Sequence, residues 1–195
     1  MPGRTKLVIE NREPAISDWL LAEYGHSASI WPGTIFTNVT DGNMKAALQK
    51  MARPVAADVL EYTGGSGCII LDHQSEVELG PDDFSDADFI VVGGILGYDK
   101  PKGRTTEFIT RRFDGRNNKF RNIGKVQLTI DSAVFVARAI FLGASLGELD
   151  ITSEVEVKWD DVHSTILPYG YPVVDGRVLL TPGLVDILRQ TEFSA

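Results

Sequence analysis

The chain has a single cysteine, Cys68, among its 195 residues. An internal disulfide is therefore impossible, and no zinc cluster can be assembled from thiolates. Cys68 reads instead as a small buried residue opening the strand CIILD. Histidine is nearly as scarce. His26, His73 and His163 lie far apart and share no ligand spacing, so no metal site is expected. Long hydrophobic runs are also missing. No stretch approaches the roughly 18 apolar residues of a membrane span, and the longest candidate, Ala133 to Ala144, carries Arg138. The opening MPGRTKLVIE enters an apolar strand too short for the core of a signal peptide. Together these absences predict an intracellular, cytoplasmic protein with no membrane partner. Internal repeats and low-complexity segments are absent as well.

What is present suits one domain with a small appendage. The net charge is −8, but it is unevenly spread. Nine basic residues fall between Lys100 and Lys125, against only Glu107 and Asp114. That segment carries an excess of seven positive charges, so the remainder carries −15. A basic segment in an acidic body can draw phosphates or carboxylates to one place; a solvated loop is the plainer alternative.

Apolar patterning alternates between strand and helix. TKLVIE (5–10) reads as a buried strand, and Glu13-Pro14 opens a helix with Ile16, Trp19, Leu20 and Tyr24 on its apolar face. TIFTNV (34–39) is the second strand. Asp41 caps a helix carrying Met44, Ala47, Leu48 and Met51, and a further helical piece follows Pro54 and ends near Tyr62. Gly64-Gly65-Ser66-Gly67 is a turn and no phosphate cradle, since neither a Lys-Ser/Thr pair nor a helix follows. CIILD (68–72) and DFIVVGG (88–94) read as strands, with a helical turn at Pro81 between them. DFIVVGG is apolar enough to be covered on both faces. A helix is expected over Thr105–Phe113, a short strand over KFRNIG (119–124), and a long helix capped by Thr129 and Asp131 through Leu142. EVEVKW (154–159) alternates as a strand, and Pro182 begins a last helix. This order predicts an α/β fold with a mostly parallel sheet flanked by helices. Residues 1–150 form its main domain, and 151–195 a small β-containing extension.

Ligands of such folds bind beyond the carboxyl ends of strands. Three strand ends run into small or turn-forming residues: Leu71-Asp72-His73, then Gly93-Gly94-Ile95-Leu96-Gly97, then Asn122-Ile123-Gly124 through Leu128-Thr129. Glycine lets backbone pass close to a ligand and adopt positive φ. The apolar members are suited to wall an adenine slot. Gly93-Gly94-x-x-Gly97 alone is a weak signal. It is not G-x-G-x-x-G, and no acidic residue follows about twenty positions on in the expected setting.

The strings GGILGYDKPKGRTTEF (93–108) and RNIGKVQLTIDSA (121–133) resemble one branch of the SPOUT methyltransferases. So do LVIENREPAISDWLLAEY (7–24) and ILPYGYPVVDGRVLLTPGLVDIL (166–188), in the same order and with matching spacing. Archaeal members of that branch are described as RNA methyltransferases, and eukaryotic members as protein arginine methyltransferases acting on a ribosomal protein. The resemblance implies an α/β trefoil knot, S-adenosylmethionine as cofactor, and a monomer rather than a homodimer. It places cofactor contacts at Leu71 and Asp72, at Gly93, Gly94 and Gly97, and at Ile123, Gly124, Gln127, Leu128 and Thr129. On that basis Gly94→Val abolishes cofactor binding and leaves the fold intact. The helix after Thr129 is expected to offer free N–H groups at its start. Two positions depart from the branch: Tyr98 displaces an aspartate to Asp99, and Gly170 stands where relatives carry arginine.

Methylating an arginine needs carboxylates to orient the guanidinium and receive a proton, because the group is otherwise always charged. Asp99 and Glu107 are the candidates, and Arg104 is expected to contact the cofactor carboxylate or the target. Three functions remain open: methylation of an arginine in a ribosomal or other basic protein, methylation of rRNA or tRNA through the basic segment, and a non-catalytic module that binds cofactor or a ribosomal protein.

Overall fold

The six parallel strands of the sheet are β1 (Lys6–Asn11), β2 (Ile35–Thr37), β3 (Arg53–Pro54), β4 (Cys68–Leu71), β5 (Phe89–Gly94) and β6 (Asn118–Arg121). Their spatial order is β3-β2-β1-β5-β4-β6, seen in a computed structural model that describes residues 4–97, 103–113, 115, 117–160 and 162–192. β1 is central and pairs with β5 along its whole length, from Lys6 opposite Phe89 to Asn11 opposite Gly94. Successive side chains of a strand face opposite ways, and both faces are apolar here. Leu7, Ile9, Ile90 and Val92 enter one buried cluster, whereas Val8 and Val91 enter another. Helices must therefore cover both sides.

On the first face lie α1 (Asp18–Ile30), α2 (Gly42–Leu48) and α5 (Ile130–Phe141), which bury Leu20, Tyr24, Met44, Leu48, Val134 and Ala137. On the second lie α3 (Val59–Thr63) and α4 (Arg104–Phe108), with Val59, Ile109 and Phe113 buried. Asp41, Asp58 and Thr129 cap α2, α3 and α5 with their side chains.

Three local expectations are corrected. The first helix starts four residues after Pro14, because Ser17 accepts a hydrogen bond from the Leu20 N–H and caps it. Arg53-Pro54 is an edge strand, and the helix expected directly after Pro54 begins only at Val59. A proline without an N–H is tolerated at a sheet edge. The helix expected over Thr105–Phe113 breaks at Ile109 and continues as a short 3₁₀ turn, Thr110–Arg112. The hydroxyls of Thr106 and Thr110 both donate to the Asp72 carboxylate, each at 2.7 Å, which fixes the two halves separately against β4.

After residue 150 the chain forms two hairpins, β7 (Val155–Lys158) with β8 (Ser164–Leu167) and β9 (Val173–Val174) with β10 (Arg177–Val178). It ends in α6 (Leu184–Glu192). Asp175 and Gly176 both take positive φ, 51° and 73°, as a tight two-residue hairpin requires. Val157, Trp159, Leu167, Tyr171, Leu184 and Leu188 form a small separate core, against which Trp19 of α1 packs. This segment is fastened to the loop before α5 and to the start of that helix: Gly170 N–H donates to the Gln127 carbonyl at 2.8 Å, and the Thr181 hydroxyl donates to Asp131 at 2.7 Å.

Candidate active site

The carboxyl ends of β4, β5 and β6 converge on one cleft. Leu71, Asp72 and His73 line it from the first turn, Gly93, Ile95, Leu96 and Gly97 from the second, and Ile123, Gly124, Gln127, Leu128 and Thr129 from the third. Arg104 and Thr105 of α4, with Ile130 and Ala133 of α5, close its sides. The lining is mostly aliphatic, with backbone turns between the apolar side chains. Gly124 takes φ +97°, and a Cβ there would meet nothing within 4 Å, so backbone itself borders the open space. A flat apolar base with a polar edge fits such a slot.

Of the anticipated cofactor contacts, Gly94 is the one that does not line the cleft. It faces the core. A Cβ at Gly94 would lie 2.3 Å from the Tyr24 hydroxyl and 3.0 Å from both the Glu10 carbonyl oxygen and Ile9 Cγ2. That hydroxyl donates to Asn11 Oδ1 at 2.8 Å and comes within 3.3 Å of the Gly94 carbonyl. The glycine exists so that α1 can close onto β5.

The three anticipated catalytic residues are placed differently from one another. Asp99 lies outside the described residues. Glu107 is exposed on the outer side of α4 and does not line the cleft, because Thr106 is the residue α4 turns toward Asp72. Arg104 does line it. Its guanidinium pairs with Glu13 at 3.2 Å, and the same Glu13 oxygen accepts the Leu96 N–H at 3.1 Å. Arg104 thereby anchors the second turn through Glu13.

The start of α5 also differs from expectation. The Ile130 N–H donates to Glu23 Oε2 at 2.9 Å, and the Ser132 N–H is held by Thr129 and Asp131. Glu23 is 2% exposed, and its other oxygen accepts the Trp19 indole N–H at 2.5 Å. Burial, reinforced by the nearby Asp131 charge, pushes its pKa up to about 8. A carboxyl whose folded pKa is raised stabilises the fold below its unfolded value of 4.5, and that contribution is lost as pH climbs toward 8. The melting temperature of the protein should therefore fall between pH 5 and pH 8.5, and Glu23→Gln should flatten that slope. Parallel slopes in a thermal melt series would show that Glu23 is ionised throughout.

Sequence reasoning missed Glu23 and Glu13. The signal for Glu23 was there: it sits on the same buried stripe of α1 as Leu20, Tyr24 and Ser27. An acid on such a stripe needs a partner.

Gly170 sits in a sterically closed position. A Cβ there would lie 2.7 Å from Val126, 2.8 Å from Leu128 and 2.8 Å from the Thr152 carbonyl oxygen. The third turn and the extension cross at this point with no room for a side chain. Among the described residues no cluster of three His, Cys, Asp or Glu side chains could hold a metal ion. No helix among them is long and apolar enough to cross a membrane.

A six-stranded parallel sheet flanked by helices matches SPOUT-like methyltransferase structures. The crystal structure of the yeast arginine methyltransferase SFM1 complexed with SAM matches with a TM-score of 0.85 at 23% identity, covering 96% of this chain and 91% of that one. The crystal structure of a dual-specific Trm10 from Thermococcus kodakaraensis matches with a TM-score of 0.54 at 14% identity, covering 73% of this chain and 96% of that one. In sequence, the protein arginine N-methyltransferase SFM1 of Saccharomyces cerevisiae is 23% identical over 203 aligned positions, spanning 95% of this chain and 94% of the relative. The model of the protein arginine N-methyltransferase SFM1-like family matches residues 6–193, and the chain belongs to that family.

Proposed function

We propose that the chain transfers a methyl group from S-adenosylmethionine to an arginine side chain of a ribosomal or other basic protein. The family supports the reaction, and yeast SFM1 has been crystallised with SAM, with SAH and with MTA. The observation that carries the reading is the convergence of three separate turns on one apolar cleft at the carboxyl edge of the sheet. S-adenosylmethionine, when bound, supplies a methyl carbon on a positively charged sulfur. Leu71, Ile95, Ile123 and Leu128 would enclose its base and exclude water. Gly93, Gly97 and Gly124 would let backbone approach it. Positioning is the larger part of the task, since the displacement must be in line.

The basic segment argues for protein rather than RNA. Four of its cations are held in ion pairs: Arg104 with Glu13, Arg112 with Asp58, Lys119 with Asp86, and Arg121 with Asp83 through two contacts of 2.7 and 2.8 Å. Charges spent internally bind phosphates less well. The remaining acidic surface suits a basic polypeptide. The reading includes a threaded chain, a main domain of residues 1–150 with a 151–195 extension, and a cytoplasmic monomer.

The test is incubation with labelled S-adenosylmethionine and purified small ribosomal subunits. Label should enter protein as methylarginine. Label in RNA alone would overturn the reading. Label in neither, with cofactor binding intact, would make the chain a binding module.

A further inference from the structure

A second cavity opens beside the cleft and shares Leu96, Gly97 and Thr129 with it. Its other walls are Ser17, Trp19, Glu23 and Tyr169. Ser17 is exposed at its rim, and the Trp19 and Tyr169 rings are half-buried. We propose that this cavity receives the target arginine, with Trp19 and Tyr169 flanking the guanidinium and Glu23 orienting it and accepting its proton. The inference rests on the arginine methyltransferase reading and adds the residues that do the work.

Three observations carry it. First, the cavity is aromatic-walled with a carboxylate among its lining residues, the surroundings a planar cation prefers. Second, each Glu23 oxygen accepts one hydrogen bond, from the Trp19 indole N–H or from the Ile130 N–H. A carboxylate oxygen accepts two hydrogen bonds, so each retains capacity for a guanidinium N–H. Third, the shared wall at Leu96, Gly97 and Thr129 puts the cavity directly against the proposed cofactor cleft. Gly97 keeps this wall thin: a Cβ there would lie 2.5 Å from Gln127 Nε2 and from the Tyr169 ring.

The step balances. The guanidinium nitrogen bonds to the methyl carbon, and the carbon–sulfur bond breaks with its electron pair remaining on sulfur. The nitrogen releases one proton to the Glu23 carboxylate. The methylated arginine keeps its single positive charge, and the sulfonium becomes a neutral thioether.

Glu23 shares its surroundings with Asp131 of α5, which pairs with His26 at 2.8 Å, and with Tyr171 of the extension. Asp131 raises the cost of a second negative charge there, and an arriving cation lowers it. Arginine binding should therefore release a proton near neutral pH.

The Trp19 indole N–H is a direct reporter. Its resonance, in uniformly ¹⁵N-labelled protein, should shift on titration with N-acetyl-arginine amide. It should not shift with N-acetyl-lysine amide, and Glu23→Gln should lose the arginine response. Equal response to both amides, or an unchanged response in the variant, would overturn the proposal. In turnover, Glu23→Gln should lower kcat at least 100-fold, with calorimetric affinity for S-adenosylmethionine within twofold of the parent. A parent that methylates arginine alongside a variant of equal kcat would sink the Glu23 role alone. A parent that methylates no arginine, yet retains the selective resonance shift, would sink the reaction and leave the cavity assignment standing.

Discussion

Gly94→Val should destabilise the fold of this protein rather than merely silence it. The new Cβ would be forced to within 2.3 Å of the Tyr24 hydroxyl and 3.0 Å of the Glu10 backbone oxygen. Tyr24 is fully buried, and Glu10 lies on the central strand, so neither can give way cheaply. Overpacking a tight core costs about 1–3 kcal/mol and sometimes more. Displacing the Tyr24 hydroxyl from Asn11 would add about 1–3 kcal/mol for a buried polar group left unpaired. At about 2–4 °C per kcal/mol for a chain of this length, the melting temperature should drop by on the order of 10 °C. Thermal denaturation followed by circular dichroism measures it directly. A variant that melts with the parent would mean that α1 does not rest on β5 as described.

Gly124→Val should do the opposite, sparing the fold and removing cofactor binding. Here φ is +97°, a region a β-branched residue scarcely enters. The space beyond the Cα is open, so no core atom is struck. The strain, of order 1–3 kcal/mol, falls on the turn between Ile123 and Leu128 and reshapes the wall of the cleft. Affinity for S-adenosylmethionine should fall at least about 100-fold, which corresponds to ~2.7 kcal/mol. The melting temperature should move by only a few degrees. Isothermal calorimetry reads the first quantity and a thermal melt the second. Affinity within a few-fold of the parent would remove the third turn from the site.

These two glycines look alike in the sequence. Gly94 ends one strand and Gly124 lies just beyond another, and both fall in strings that resemble the same family. What separates them is the direction in which each missing Cβ would point. That direction depends on the register of β1 against β5 and on where α1 lands. Neither can be read from Gly93-Gly94 alone. The same holds for Glu23. Its partner Ile130 is 107 positions away, so no local pattern announces the pair. The Arg104 contact with Glu13 spans 91 positions and was equally hidden. The break at Ile109 had a different origin: local periodicity favours one helix over 105–113, and the Asp72 carboxylate divides it from a distance.

The amino-acid order by itself determined the alternation of strand and helix, the two-sided apolar strands that demand a covered parallel sheet, and the three turns that border the cleft. Those are properties of short windows, set by side-chain period and by glycine. Only the tertiary structure decided which carboxylate is buried, which cations are already paired, and which glycine faces the cleft. Those outcomes depend on atoms far apart in the chain being brought within about 3 Å of one another, and distance in space is not written in neighbouring residues.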